Sequence, residues 1–191
     1  HGLGSWAFLA AVILDIDLPE DKPLLTNCGS CDLCIRACPT GALIDQYTLD
    51  NQRCISYQTI ENRGSIPERL RPLMGDWVFG CDVCQDVCPV NRKAVPSTIP
   101  EFETCDPEAA RPSLAGLLLM DTPRYQERFR GRAVKRAKQQ GLQRNAAVAL
   151  GNTGDPGVVE VLEEGLGLPD GVVRSHVAWA MGRVGGRRAR L

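Results

Sequence analysis

The sequence has no hydrophobic run long enough to cross a bilayer. Its longest apolar stretch, Trp6–Leu14, is nine residues, against the roughly 20 that a spanning helix needs. No basic leader precedes it, and Asp15, Asp17, Glu20 and Asp21 follow at once, so it does not read as an export signal. It is expected to be a buried helix or strand that packs against something upstream. Histidine is scarce, with only His1 and His176, and a lone His176 without a partner signal reads as structural or solvent-facing. No carboxylate pair is marked by spacing, so no catalytic residue is assigned. Aromatic residues make up 5% of the chain, and Phe129 and Trp179 are expected in the core rather than as base-stacking platforms.

Cysteine, by contrast, is abundant and patterned. Eight of the nine cysteines fall between positions 28 and 88. The first run is Cys28-Gly-Ser-Cys31-Asp-Leu-Cys34-Ile-Arg-Ala-Cys38-Pro39, the C-x2-C-x2-C-x3-C-P spacing of bacterial two-cluster ferredoxins. In that arrangement the fourth cysteine serves the other cluster. The second run, Cys81-Asp-Val-Cys84-Gln-Asp-Val-Cys88-Pro89, lacks its first member, because Val78 stands three before Cys81. Cys54 alone lies between the runs and completes the count. One [4Fe–4S] site is therefore expected from Cys28, Cys31, Cys34 and Cys88, and a second from Cys38, Cys54, Cys81 and Cys84. Cys105 is left without a role. Zinc is the plain alternative, but zinc ribbons use two separated pairs. Disulfides require an oxidising compartment and sit poorly with an odd count.

The net charge of −1 hides an asymmetry. Residues 1–110 carry 8 Lys and Arg against 16 Asp and Glu, and residues 111–191 carry 14 against 7. The second half is where an anionic partner would bind. The chain divides into a lead-in (1–24), a ferredoxin-like two-[4Fe–4S] domain (25–110) and a helical domain (111–191). The fold class is α+β, mostly α. Short helices are expected over 32–37, from Asp50 or Asn51 to Ile60, over 69–73 and over 81–88, with a short strand over 41–44. A proline-rich strap covers 94–112.

From residue 114 the pattern is helical, with Thr122 as an N-cap before Pro123 and helices over 132–139, 143–150, 158–165 and 172–181. Ala149-Leu150-Gly151 returns as Ala180-Met181-Gly182 at a period of 31, which reads as a HEAT-like repeat, and the glycines at 151–154 and 182–185 are expected to close their helices. Eight cations lie between 124 and 144. The plain reading is a solvated helix face; the functional one is a phosphate-binding surface using Arg132, Lys135, Arg136, Lys138 and Arg144.

Four stretches carry a family resemblance. They are Cys28–Cys38 continuing into Pro39-Thr40-Gly41-Ala42; Arg53-Cys54-Ile55-Ser56-Tyr57-x-Thr59-Ile60-Glu61; Ile66-Pro67-Glu68-x-Leu70-Arg71-Pro72-Leu73-Met74-Gly75; and Gly80-Cys81-Asp82-x-Cys84-Gln85-x2-Cys88-Pro89-x-Asn91-Arg92. With Arg144–Asn152 they resemble the C-terminal portion of the epoxyqueuosine reductases. That family reduces epoxyqueuosine at the tRNA wobble position to queuosine, with a cobalamin fed electrons by two clusters.

The resemblance implies cobalamin as a second cofactor, with Ser56, Cys81 and Asp82 beside the corrin, although the family's cobalamin half is absent from this sequence. It implies a tRNA substrate, an external low-potential electron donor, a monomer in the cytoplasm and no membrane. Gly4-Ser5-Trp6 would be the seam to the preceding half. The alternative is a stand-alone two-cluster electron carrier with a helical docking domain.

Overall fold

The computed structural model describes residues 4–23, 27–100 and 111–185; Cys105 lies outside them. Helix α1 (Leu33–Ala37) starts directly after Asp32 and ends at Cys38, whose backbone is extended before Pro39. The proline ring disfavours helical geometry in the residue before it, so the cysteine is turned off the helix. A two-stranded antiparallel sheet follows, β1 (Leu43–Asp45) with β2 (Thr48–Leu49), in the register Leu43 to Leu49 and Asp45 to Thr48.

The expected helix from 50 to 60 is split in two. The Asp50 carboxylate accepts from the Gln52 N–H and caps a 3-10 turn, Asn51–Arg53; Cys54 is extended, and α2 (Ile55–Ile60) then begins. The stretch expected over 69–73 is a 3-10 turn, Arg71–Met74. Helix α3 (Val83–Asp86) repeats the plan of α1. It follows an aspartate, Asp82, and the chain then reaches an extended Cys88 before Pro89 and a 3-10 turn, Pro89–Lys93.

The second half contains α4 (Leu114–Leu118), α5 (Thr122–Arg128), a 3-10 turn Ala133–Ala137, α6 (Lys138–Thr153), α7 (Val159–Gly165) and α8 (Gly171–Gly185). The cap of α5 is Asp121, one residue before the expected Thr122, and it accepts from the Arg124 N–H at 2.8 Å. Two expected helices, 132–139 and 143–150, become a short 3-10 turn and one long helix. The break falls at Lys138, where φ is +63°, rather than at Gly141. Helix α6 runs through Gly151 and closes at Gly154 in a left-handed conformation, and Gly182 lies inside α8.

Helices α6 and α8, related by the period of 31, pack on each other. A Cβ at Gly151 would lie 2.8 Å from Ala180 Cα, so the glycine permits their close approach. Leu117, Leu118, Tyr125, Phe129, Leu142, Leu150, Leu162, Val173 and Val177 belong to the repeat core. A second core, Ile55, Ile66, Leu70 and Met74 from the cysteine-rich half, closes on Val148 of α6. Trp179 is half-buried between the Arg71 and Arg183 guanidinium groups, each 5.6 Å from its ring centre.

The lead-in departs from expectation. Residues 6–14 form neither helix nor strand, and Phe8, Leu9 and Ile13 are each at least 96% exposed. Only its start is docked. The Ser5 N–H donates to Asn91 Oδ1 at 2.6 Å, and Asn91 Nδ2 donates to Ser5 Oγ and to the Gln85 carbonyl, both at 2.7 Å.

Candidate functional site

Two near-identical units present the cysteines. In each, a Cys-Asp-x-Cys segment enters a one-turn helix, and a Cys-Pro step leaves it. Helices α1 and α3 pack together, so the Cys-Pro step of each unit can face the other unit's helix. All eight cysteines from 28 to 88 are free thiols; Cys28 is exposed and the other seven are half-buried.

Electrostatics shows which thiols are neighbours. Burial pushes the Cys81 thiol up, and the charges of Cys54, Cys38 and Asp82 add to this. Burial likewise raises Cys84, followed by the charges of Cys81, Cys54 and Cys34. The thiols of the second run are thus coupled by charge to Cys54 and to Cys38 and Cys34 of the first run. Holding four thiolates there in the anionic form requires a compensating positive centre.

Cys38 behaves differently. Burial raises its thiol, but hydrogen bonds from the Leu43, Ala42 and Thr40 backbone and the Thr40 hydroxyl outweigh that and bring it below the ordinary value. The Ala42 N–H lies 3.2 Å from its sulfur. No three His, Cys, Asp or Glu side chains among the described residues are gathered as a single ion would require. The donor set, seven thiols in two runs plus the outlying Cys54, suits two four-thiolate iron–sulfur clusters.

The exposed Cys28 loop is held by the turn between β1 and β2. The Cys28 N–H donates to Tyr47 Oη at 2.9 Å, and Gln46 Nε2 donates to the Gly29 carbonyl at 2.8 Å. Tyr47 adopts φ +58°, an unusual conformation for a non-glycine residue.

Of the residues expected beside a corrin, Asp82 lines a cavity of about 850 Å³, together with Ser5, Trp6, Phe8, Gln85 and Val95. Cys81 is half-buried and is not part of that lining. Ser56, near the start of α2, is half-buried and is not part of that cavity lining.

The basic stretch is also divided. Arg132, Arg136 and Lys138 are exposed and Lys135 is half-buried. Arg136 forms an ion pair with Glu61 across the two halves, and Lys135 Nζ donates to Gln126 Oε1 at 2.6 Å. Arg144 is not part of a surface at all. It is 1% exposed, and its Nη atoms donate to the carbonyls of Asn62 at 2.8 Å, Gly64 at 2.6 Å and Gln58 at 2.5 Å. The planar guanidinium can satisfy several carbonyls at once, and here they belong to the cysteine-rich half.

Sequence reasoning missed three neighbours of that contact. Asn145 Nδ2 donates to the Thr59 and Val78 carbonyls at 2.9 and 2.8 Å. Asn152 Nδ2 donates to the Arg71 and Gly75 carbonyls at 2.8 and 2.9 Å. His176 Nε2 accepts from the Ile66 N–H at 3.1 Å. The available signal was Asn145 and Asn152 bracketing the small apolar run 146–150, where buried polar side chains need partners.

Residues 27–91 match the family described as a 4Fe-4S double cluster binding domain, and residues 128–190 match HEAT repeats. The epoxyqueuosine reductase of Shewanella oneidensis is 41% identical over 184 residues, covering 95% of this chain and 47% of that protein. That of Escherichia coli is 42% identical over 179 residues, with coverages of 93% and 47%. The chain is homologous to about half of an epoxyqueuosine reductase. Two solved epoxyqueuosine reductases, one from Bacillus subtilis and one bound to a tRNA-Tyr epoxyqueuosine-modified stem loop, superpose with TM-scores of 0.80 at 38% identity. Each match covers 87% of this chain, and the chain spans 45% and 44% of those epoxyqueuosine reductase chains.

Proposed function

We propose that this chain supplies the electron-relay clusters and the tRNA-binding repeats of an epoxyqueuosine reductase. The observation that carries the reading is the match of residues 27–91 to a 4Fe-4S double cluster binding domain, supported by the packing of α1 on α3, which lets the two Cys-Pro cysteines swap sites. A simple zinc ribbon has no use for that swap. Cys28, Cys31, Cys34 and Cys88 hold one [4Fe–4S] cluster, and Cys38, Cys54, Cys81 and Cys84 hold the other. Cys28 is the exposed thiol, so its set is the side an external low-potential donor reaches. The hydrogen bonds at Cys38 stabilise added negative charge on the second set and tune its potential.

Converting an epoxide to an alkene takes up two electrons and two protons and releases water. When bound, the cubanes supply the electrons singly, and a corrin held mainly by a preceding half supplies the centre that meets the epoxide. Asp82 and the cavity beside Ser5 and Trp6 lie on the side from which that half would approach, and Ser56 is a second corrin-side residue. Arg132, Lys135, Arg136 and Lys138 meet the tRNA backbone. The protein acts in the cytoplasm as a monomer, and its two units meet near residue 110.

The test joins this chain to the preceding segment of a relative and loads it with iron, sulfide and cobalamin. With a reduced low-potential donor, an epoxyqueuosine stem loop should be converted to queuosine, read by mass spectrometry of the nucleosides. Turnover by the 191-residue chain without corrin would overturn the division of roles. Electron transfer to a protein acceptor, with no RNA binding, would favour the stand-alone carrier.

A further inference from the structure

Between the two halves lies a small groove of about 180 Å³ to which the cysteine-rich half contributes Asn62 and Arg63 and the repeats contribute Lys138, Arg144 and Asp170 among others. Three of its nine lining residues are cations. Arg144 is committed to backbone carbonyls, but its charge remains in the wall. Among the described residues Arg63 bonds the Ile60 carbonyl, through Nη1 at 3.0 Å. Lys138 is exposed, and among the described residues neither it nor Arg63 nor Arg132 forms an ion pair.

Arg63 stands against the repeats, lining the groove with Lys138 and Arg144. One carboxylate, Asp170, lines the groove, and a second, Glu61, precedes Arg63 by two residues in the chain. Glu61 is taken up by Arg136, and Asp170 accepts from the Val173 N–H at the start of α8 at 3.0 Å. Burial first, and then the Arg63 charge, hold Arg144 down to about 10, with Asp170 opposing. The groove therefore keeps a positive excess that the chain does not neutralise.

We propose that this interdomain groove is a phosphate-binding seam for an RNA backbone, with Arg63 of the cluster half and Lys138 of the repeats as its two contacting cations. The inference rests on the tRNA reading above and extends it. The RNA is gripped across the junction, and a residue outside the 124–144 basic stretch takes part. Arg63 suits the task because its guanidinium can fork onto two phosphate oxygens, while Lys138 offers a point charge on a flexible stem. An acidic protein segment is the competing occupant. The groove favours RNA because Arg132, Lys135 and Arg136 continue the cations over the adjoining 3-10 turn, as a repeating chain of phosphates requires.

The experiment uses the full, anaerobically reconstituted chain and an RNA stem loop, with binding read by fluorescence anisotropy from 0.05 to 0.5 M salt. Arg63→Gln and Lys138→Gln are compared with wild type and with Arg36→Gln, a cation paired to Asp32 in α1. Iron content checks that each variant is folded. Each seam substitution should flatten the log–log salt slope by about 0.7–0.9 and weaken binding about sixfold at 0.1 M salt, the factor such a slope yields over one decade. Arg36→Gln should do neither. If both seam variants bind like wild type while Arg132→Gln or Lys135→Gln flattens the slope, the seam is wrong and the tRNA reading stands. If the wild-type chain shows no salt-dependent binding, both fail. Equal competition by polyglutamate would assign the groove to acidic proteins and overturn the proposal.

Discussion

Replacing Asn145 by alanine tests whether the repeat domain builds the second cluster site. Its amide spans the two segments that deliver Cys54 and Cys81. One hydrogen bond goes to the Thr59 carbonyl, five residues after Cys54, and the other to the Val78 carbonyl, three before Cys81. A third bond ties the segments directly, from the Gly80 N–H to Thr59 Oγ1 at 3.0 Å. Asn145 is fully buried, so its loss leaves two carbonyls short of a donor at about 1–3 kcal/mol each. Arg144 also loses its Asn145 Oδ1 acceptor, at 2.9 and 3.1 Å. The expected destabilisation is about 3–5 kcal/mol, a large share of the roughly 5–15 kcal/mol that holds a domain. The distinctive expectation is selectivity. Asn145→Ala should lose about half its iron, because one of two four-iron sites is affected. EPR of the reduced protein should show loss of the spin coupling between two clusters. Full retention of iron, or equal loss from both sites under mild chelation, would refute the link from α6 to Cys54 and Cys81.

Other outcomes follow from the same contacts. Cys54→Ser should bind about four irons instead of about eight, and Cys105→Ser the full complement, as iron analysis would show. Arg144→Lys should lower the urea midpoint by an amount worth about 2–4 kcal/mol, because three donors on a single nitrogen cannot reproduce the fork that reaches three carbonyls and Asn145 Oδ1, yet leave the salt slope of RNA binding unchanged. His176 is held down to about 4, mainly by burial and also by the nearby Arg71 and Arg144 charges. The unfolded chain then binds the extra proton between its ordinary value of about 6.5 and 4, so stability should fall by about 2 kcal/mol from pH 7 to pH 5. Urea melts of His176→Gln should lack that component. Gly4→Ala would place a Cβ 2.2 Å from Asn91 Oδ1 at φ +68°, so it should release the lead-in and speed its cleavage by a non-specific protease.

What the sequence made legible is what short-range spacing encodes. The C-x2-C-x2-C-x3-C-P run and the truncated second run point to a double-cluster domain, which the match over residues 27–91 bears out. Helix content was legible where the sequence repeats itself, in the 31-residue return of Ala149-Leu150-Gly151 as Ala180-Met181-Gly182 that falls in α6 and α8. The misreadings involve partners distant in sequence. Arg144 sits in a run of cations and looks like its neighbours, yet the carbonyls that bury it come from 80 to 86 residues away. The break expected between residues 139 and 143 falls instead at Lys138, at a positive φ that no glycine or proline marks in the sequence. The lead-in was expected to be buried because its residues are apolar; composition states what a segment could bury, not whether a surface is present to receive it.

The polar face of α6 has a consequence for catalysis at a distance. Arg144, Asn145 and Asn152 together accept no role in the repeat's own core; they satisfy carbonyls at seven positions, from Gln58 to Gly75 and Val78, in the cysteine-rich half. Val148, between them, closes that half's apolar core. Sliding the halves apart would strand those carbonyls in a buried interface, at about 1–3 kcal/mol apiece, so the two move as one body. On the proposal above, an RNA gripped at Arg63 and Lys138 would be held at a fixed position relative to the segments that carry Cys54 and Cys81, because Asn145 ties both segments to the helix that begins at Lys138. Sequence is read elsewhere, because phosphate contacts position a nucleic acid without specifying it.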